Sequence, residues 1–340
     1  MIMVERLGQT PELSRTELRN RTMTVLTQYG ESSLQRLRPM VRAGLGKEEM
    51  GMVRYRPGEV QHGIDLMGEG LIASLVREQE LPARIIGENN TNIPLDDREA
   101  LVDIAIDPLD NTSPYVRGLD IPPYSVAGAF DKNGAPIGGV IVDISGNKIY
   151  RASGNKATVM DTETSIVKEL SRSQRKDISD PNVTIASFVG EKEYSLPFFD
   201  TFRPLFEAMD KKGMLYPGGG AFIYALLASG AVDAYVMMDE PRSEIDPGLP
   251  VLLAAGGKAE SINLETGKGT PYKFDADLTA SDSVPLFIAY SQPEIRDAIV
   301  ASYLKGKEVA EEREKAVAFY REYQAMHEGQ EYPLRSPQVN

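Results

Sequence analysis

Apolar side chains recur every three or four positions between residues 11 and 45, the spacing of one face of an amphipathic helix. Ser14, followed three residues later by Glu17, is the pairing typical of a helix start. The same spacing returns over residues 65–80, and Leu81-Pro82 ends it because proline disfavours helical backbone in the preceding residue. The first part of the chain therefore predicts two helices.

Short apolar runs bounded by glycine, proline or polar turns follow, as is typical of strands. They cover residues 84–87, 100–106, 123–130, 137–144 and 148–152. The last three predict an antiparallel meander because short polar turns separate them. Strands and helices then alternate from residue 182 to residue 289, which predicts a second α/β layer. From Pro293 to about Met326 the pattern is charged and helical, with an expected break near Gly306.

Composition narrows the chemistry. The chain of 340 residues has no cysteine and only two histidines, which excludes disulfides, thiolate metal sites and cysteine nucleophiles and disfavours multi-histidine sites. It has 50 acidic and 37 basic residues, a net charge of −13. We therefore expect no binding to nucleic acid or to anionic membranes. Carboxylate and carbonyl ligands instead favour hard cations such as Mg²⁺, Mn²⁺ or Ca²⁺.

Two features of the chain bear on its location. The N-terminal residues 1–6 lack the basic and apolar regions of a signal peptide. The longest uncharged stretch, residues 213–232, is interrupted by Pro217 and a run of three glycines, which leaves a helix too short to span a bilayer. We expect a cytoplasmic protein.

One acidic heptapeptide follows a predicted strand: Asp107-Pro108-Leu109-Asp110-Asn111-Thr112-Ser113. Asp107 and Asp110, three residues apart at a strand-to-helix turn, can converge on cations, with the Leu109 carbonyl as a further ligand. The backbone N–H groups of residues 111–113, with the Thr112 and Ser113 hydroxyls, form a candidate phosphate site at a helix start. An ordinary capped turn explains the same residues equally well.

Two further acids stand at element ends. Glu88 follows the strand at residues 84–87 and can reach the same centre as Asp107, although an exposed loop glutamate is the alternative. Asp246 precedes Pro247 at a predicted helix start, where an N-cap aspartate is the alternative.

Taken in order, these motifs resemble the inositol monophosphatase-like superfamily of metal-dependent, lithium-sensitive phosphatases, which includes fructose-1,6-bisphosphatases and bisphosphate nucleotidases. Its signature Asp-Pro-(Ile/Leu)-Asp-Gly-(Thr/Ser) is similar to residues 107–112, and its strand ending in Gly-Glu-Glu is similar to Gly87-Glu88-Asn89. The remaining matches are Asp65 with Glu69, residues 218–221, residues 228–235, and Ile245-Asp246-Pro247-Gly248 with Gly256-Gly257.

The chain departs from the family pattern at several points. Asn89 replaces the second glutamate, Asn111 a glycine, Gly219 a serine and Ile245 a tryptophan. The segment from Asp246 to Gly256 is about two residues shorter than the family pattern.

The resemblance implies an αβαβα layered sandwich, between the α+β and α/β classes, with an added C-terminal helix. We expect an α+β half at residues 1–178 carrying most metal ligands, an α/β half at 179–290 closing the site, and a charged helical extension at 291–340.

For the metal centre, the resemblance implies one Mg²⁺ on Glu88, Asp107 and the Leu109 carbonyl. A second would lie on Asp107, Asp110 and Asp246. Asn89 removes a ligand that the family uses for a third metal ion, so that site is in doubt, and Mn²⁺ is expected to substitute for Mg²⁺.

For catalysis, the resemblance implies that Glu88 and Thr112 orient the attacking water and that Asp65 holds the Thr112 hydroxyl. Substrate contacts are expected from Asn111, Thr112, Ser113, Gly218, Gly219 and Asp239. Lys192 or Arg242 could contact a second phosphate, although surface charge explains both more simply.

The resemblance thus implies a Mg²⁺-dependent phosphomonoesterase acting on a small sugar or inositol phosphate, and a homodimer or homotetramer. The alternatives are a 3′(2′),5′-bisphosphate nucleotidase and a non-catalytic relative that binds metal or phosphate.

Overall fold

The computed structural model describes residues 13–52, 60–87, 93–94, 99–190, 192–278 and 282–326. The predicted ligand Glu88 and its neighbour Asn89 lie outside these residues. The helices are α1 (Arg15–Ala43), α2 (Gly63–Glu78), α3 (Thr112–Val116), α4 (Lys192–Ala208), α5 (Ile223–Ala228), α6 (Arg242–Ile245), α7 (Leu249–Ala254) and α8 (Pro293–Met326). The strands are β1 (Glu49–Met52), β2 (Val60–His62), β3 (Ala83–Gly87), β4 (Ile93–Pro94), β5 (Val102–Asp110), β6 (Tyr124–Asp131), β7 (Pro136–Asp143), β8 (Lys148–Ser153), β9 (Lys156–Asp161), β10 (Ile166–Glu169), β11 (Thr184–Ala186), β12 (Met214–Tyr216), β13 (Ala234–Pro241), β14 (Lys258–Ile262), β15 (Gly269–Pro271) and β16 (Ser283–Tyr290).

The first helix begins as its sequence predicts. The Ser14 side chain accepts a hydrogen bond of 3.2 Å from the Glu17 N–H, which satisfies one of the free donors at the start of α1. Gly44, with φ 66°, ends the helix in the left-handed conformation. The apolar stripe between these caps packs on the larger of the two main sheets, and β1 and β2 form a separate two-stranded sheet.

The larger sheet has eight strands in the order β10-β9-β8-β7-β6-β5-β3-β4. Strands β5 to β10 form an antiparallel meander, while β3 pairs with β5 in parallel. Helices α1 and α2 cover one face, where Leu26, Ile72, Ile104 and Val140 lie in one buried cluster. The meander was predicted as far as β8, and β9 and β10 extend it.

Strand β5 runs further than its sequence indicates. The run was expected to stop at residue 106, but β5 continues to Asp110. Asp107 pairs with Val126 and Asp110 with Tyr124, so three steps on β5 oppose two on β6. This bulge accommodates Pro108, which has no N–H for a ladder hydrogen bond. It also sets the positions of the two aspartates on either side of it.

The smaller sheet has six strands in the order β12-β11-β13-β16-β14-β15. Residues of α5 and α7 share a buried cluster with both sheets, for example Tyr224, Leu252, Val126 and Phe287. The outer face of the smaller sheet packs on α4 and α8, through Phe202 and Ile299 among others. The layers are therefore αβαβα, and the predicted fold is confirmed.

Helix α8 passes through Gly306 without the expected break. A Cβ atom at this position would collide with the Thr201 carbonyl oxygen, so the glycine allows α8 to lie directly against α4. Beyond this contact every residue from Glu308 to Arg321 is exposed. Within the described residues, every helix is either too short or too polar to traverse a lipid bilayer.

Candidate metal and phosphate site

Three carboxylates meet where the larger sheet faces α6. One ligand oxygen each of Asp107, Asp110 and Glu244 lies within 4.8 Å of the others. Asp107 and Asp110 are buried at 3% and 5% exposure, and Glu244 is half-buried. Like charges this close repel one another, and burial raises the cost of keeping them ionised. The arrangement is therefore one that a divalent cation would stabilise.

Glu244 reaches this cluster from the four-residue helix α6, which follows β13 directly and packs against β5. The sequence had indicated Asp246 for this place. In a helix, residues two apart point in nearly opposite directions, so Glu244 and Asp246 cannot both face the same centre. The structure turns Glu244 towards Asp107 and Asp110.

Asp246 has other partners. One carboxylate oxygen forms an ion pair of 3.1 Å with Arg242, and the other accepts a hydrogen bond of 2.7 Å from the Tyr272 hydroxyl. Arg242 is itself buried, with its guanidinium 5.3 Å from the centre of the Tyr272 ring. Arg242 is thus a structural partner of Asp246 rather than an open contact for a second phosphate.

Burial dominates the electrostatics of Asp246. It raises the pKa of the carboxyl from its usual value to about 6, although Arg242 and Tyr272 act in the opposite direction. The ion pair therefore offsets only part of the desolvation cost.

Thr112 and Asp65 lie together beside the bulge. The Thr112 hydroxyl is 3.3 Å from Asp65 Oδ1 and also contacts the Leu109 carbonyl, and its single proton can go to one of them at a time. The other Asp65 oxygen accepts the His62 N–H at 3.1 Å, at the start of α2. Burial raises the Asp65 pKa to about 6, while the hydrogen bonds from His62 and Thr112 lower it. The expected Asp65–Thr112 contact is present.

Asp110 also reaches the smaller sheet's half of the molecule. Its Oδ2 accepts a hydrogen bond of 2.6 Å from the Phe222 N–H. Gly220, with φ 115°, lies so close that a Cβ atom there would be 2.5 Å from Asp110 Oδ1. The glycine loop that carries the expected contacts Gly218 and Gly219 therefore adjoins the carboxylate cluster.

The model of the inositol monophosphatase family matches residues 22–305. The chain belongs to the inositol monophosphatase family.

One curated protein matches about half of the chain at low identity. A stretch of 152 residues is 28% identical to a protein named Nus factor SuhB from Xylella fastidiosa (strain Temecula1) and covers 45% of this chain. The match spans about half, 52%, of that curated relative.

Two solved structures share the fold. An inositol monophosphatase from Anabaena (Nostoc) is 19% identical, with a TM-score of 0.61 over 84% of this chain and 96% of that one. The extragenic suppressor protein suhB from Bartonella henselae is 18% identical, with a TM-score of 0.63 over 84% and 98%.

The family pattern contained a signal for Glu244. The segment from Asp246 to Gly256 is about two residues shorter than the pattern, and starting at Glu244 removes that difference. The spacing to the glycine pair thus favours Glu244 over Asp246 as the counterpart of the family's aspartate.

The structure also accounts for Gly219 where the family has serine. A Cβ atom at Gly219 would lie 2.5 Å from the Tyr235 hydroxyl and 2.8 Å from Phe188 Cβ. The Tyr235 hydroxyl donates a hydrogen bond of 2.6 Å to the buried Glu240. The glycine leaves room for this tyrosine, which a larger residue would displace.

The other predicted substrate contacts differ in their surroundings. Asn111 has φ 70°, the left-handed conformation expected of it, and its side-chain amide donates to the Pro122 carbonyl at 3.0 Å. Ser113 is exposed beside the turn. Asp239 is exposed on β13, also with left-handed backbone, and the structure does not place it in the carboxylate cluster.

Proposed function

We propose that this protein is a Mg²⁺-dependent phosphomonoesterase that hydrolyses a small sugar or inositol phosphate. The observation that carries the proposal is the cluster of Asp107, Asp110 and Glu244 next to the Asp65–Thr112 pair. Membership of the inositol monophosphatase family supports it, as does the name of the Anabaena protein with the same fold.

The residues present suit a hard divalent cation. Carboxylate oxygens are the ligands that Mg²⁺ and Mn²⁺ prefer, and this cluster supplies three of them within 4.8 Å. Asp107, Asp110 and Glu244 would hold the metal, with the Leu109 carbonyl and Glu88 as further expected ligands. When bound, divalent cations neutralise the phosphate ester and polarise the oxygens that take part in the displacement. Glu244 would thus be the metal ligand in place of Asp246, which the sequence had indicated.

Thr112 and Asp65 would orient the attacking water. When the Thr112 hydroxyl donates its proton to Asp65, its oxygen lone pairs are free to accept a hydrogen bond from water. Glu88 is the expected second acceptor. Water oxygen then bonds to phosphorus as the ester P–O bond breaks, which yields inorganic phosphate and an alcohol after proton uptake by the leaving oxygen.

The phosphate would lie between the turn at residues 111–113 and the glycine loop at 218–219. Backbone N–H groups in such turns bind phosphate oxygens without adding charge. The Phe222 N–H does not share this role because Asp110 already accepts it at 2.6 Å. Holding the loop against Asp110 thus fixes the distance between the two walls of the phosphate pocket.

The test is hydrolysis of a panel of phosphate esters by the purified protein, with Mg²⁺, with Mn²⁺ and with a chelator. The panel includes inositol phosphates, sugar mono- and bisphosphates and 3′,5′-bisphosphate nucleotides. We expect turnover of a sugar or inositol phosphate that the chelator abolishes. Asp110→Asn should remove activity while its circular dichroism spectrum stays unchanged.

If no ester in the panel releases phosphate with either metal, the proposed enzymatic activity is refuted. Preference for the nucleotide would support the nucleotidase alternative, and full activity of Asp110→Asn would refute the assigned metal ligands.

A further inference from the structure

Among the residues that the structure describes, no element covers the second half of α8. All fourteen residues from Glu308 to Arg321 are exposed, and we call this segment the α8 arm. Among its apolar side chains, Val309 is 54% exposed, Phe319 67% and Tyr320 59%. The family match ends at residue 305, so the arm is an addition to the family fold.

A helix of this length is marginal by itself in water, because packing of an apolar face supplies most helical stability. The arm has such a face. Val309, Arg313, Ala316 and Tyr320 follow one another at intervals of four, three and four residues, which places them on one side of the helix. An element that covered this side would bury the valine, the alanine and the tyrosine ring.

The charges of the arm indicate what that element is. Residues 308–314 contain four glutamates and one arginine, a net charge of −3. Residues 315–321 contain one lysine, one arginine and no acid, a net charge of +2. Glu308 and Glu312, four residues apart, also repel each other along the helix. A partner with the opposite order of charges would relieve this repulsion.

We propose that the α8 arms of two copies of this chain pair as antiparallel helices. Antiparallel pairing brings the acidic half of each arm against the basic half of the other, whereas parallel pairing would place acid against acid. If the arms cross between residues 314 and 315, Val309 lies opposite Tyr320 of the second copy and Arg313 opposite its Ala316. The apolar face and the charge order then fit the same register.

Site-specific cross-linking tests which side of the α8 arm forms the pairing contact. The chain has no cysteine, so one introduced cysteine gives an unambiguous product. Ala316→Cys lies on the pairing face near the crossing, and Ala318→Cys, its matched control, lies about 180° away on the helix. We expect mild oxidation or a short bismaleimide to cross-link Ala316→Cys at least about tenfold faster than Ala318→Cys. Equal rates, or no product from either, would overturn the proposal.

Exchanging charges on the arm tests whether the partner is a second copy of the chain and whether the two arms are antiparallel. An all-acidic arm, Lys315→Glu with Arg321→Glu, and an all-basic arm, Glu308→Lys with Glu311→Lys and Glu312→Lys, should each weaken self-association. A mixture of the two should restore it because unlike arms now meet. Sedimentation over a concentration series measures both effects. Lys211→Glu with Lys212→Glu, at exposed sites outside the arm, is the control for the all-acidic variant because both change the net charge by −4.

The proposal fails if both charge variants keep the wild-type mass, or if mixing them does not recover association. It also fails if deleting residues 327–340 is needed before the arms associate, since that segment would then be the cover. Because the measurement is molar mass, its outcome is independent of whether the protein hydrolyses phosphate esters.

Discussion

The end of β5 and the helix α6 with its C-terminal cap residue each carry two acidic residues close in sequence, but the two pairs differ in how many of their carboxylates join the cluster. Asp107 and Asp110 lie three residues apart on either side of a β-bulge, and both carboxylates join the cluster. Glu244 on α6 and Asp246, the residue that caps the helix with helical backbone, lie two residues apart, and only Glu244 joins the cluster. Asp246 instead pairs with Arg242 at 3.1 Å.

The backbone explains the difference. A bulge can bring residues three apart to the same side of a strand, because it shifts the alternation of side chains by one residue. A helix separates residues two apart by about 200° and joins residues four apart on one face. Whether two acidic residues close in sequence can both reach one centre thus depends on the secondary structure that carries them.

The largest effect is expected from two matched substitutions, one on α6 and one at the residue that caps it. Glu244→Gln should reduce kcat/KM by at least about 100-fold, a loss of about 2.7 kcal/mol of transition-state stabilisation, and should weaken Mg²⁺ binding. Asp246→Asn should leave Mg²⁺ affinity nearly unchanged but lower the free energy of unfolding by roughly 3 kcal/mol, because it leaves the Arg242 charge buried without its ion-pair partner. Calorimetric Mg²⁺ titration, steady-state kinetics and urea unfolding measure these quantities.

The reverse result would restore Asp246 as the metal ligand. In that case Asp246→Asn would lose Mg²⁺ affinity, and Glu244→Gln would bind the ion as the wild type does.

The next effect concerns the contact of Asp110 with the glycine loop. Gly220→Ala would place a Cβ atom 2.5 Å from Asp110 Oδ1 on backbone with φ 115°. We expect a loss of roughly 1–3 kcal/mol in unfolding free energy and a lower kcat, because the carboxylate must move. Gly70→Ala, where no atom lies within 4 Å of the added Cβ and the backbone is helical, is the control and should be neutral or stabilising. Similar behaviour of the two variants would contradict the contact.

A smaller effect appears in the pH dependence of stability without metal. The folded pKa of Asp65, about 6, lies above the unfolded value, so its contribution to stability is complete below about pH 4 and is lost as the pH rises through 6. A shift of about two units corresponds to roughly 3 kcal/mol. Asp65→Asn should therefore flatten the decline in unfolding free energy between pH 4 and 8 in the presence of a chelator. Parallel urea-unfolding curves for the wild type and the variant across this range would disprove it.

The smallest effect is expected at the turn after the bulge. Asn111→Gly should change the unfolding free energy by less than about 0.5 kcal/mol, because both residues accept the left-handed backbone with φ 70°. Asn111→Ala should cost about 1 kcal/mol, since alanine does not favour that conformation. Both variants lose the exposed hydrogen bond to the Pro122 carbonyl, so the difference between them reports the backbone conformation. A thermal or urea unfolding series compares them, and equal losses for glycine and alanine would assign the effect to the hydrogen bond alone.

The sequence indicated which residues lie near one another where the polar residues directly adjoin a strand or helix with a clear hydrophobic pattern. Asp107, Asp110 and Thr112 stand in one contiguous motif after an apolar strand, and Asp65 opens a clearly periodic helix, so their proximity followed from pattern and resemblance. Glu244 was missed because a four-residue helix has no periodicity from which to determine its orientation. Strand β10 was missed because all four of its residues are exposed and none marks a buried face.

Asp110 and Glu244 are 134 residues apart in the chain, yet their carboxylates lie within 4.8 Å. A ribosome adding 5–20 residues per second would place about 7–27 s between them. During that interval the emerging chain already holds two aspartates at the bulge but not Glu244, and the Phe222 amide is added only 22 residues before Glu244. A nascent chain shorter than 244 residues therefore carries two of the three carboxylates and cannot complete the cluster, however well its larger sheet has folded.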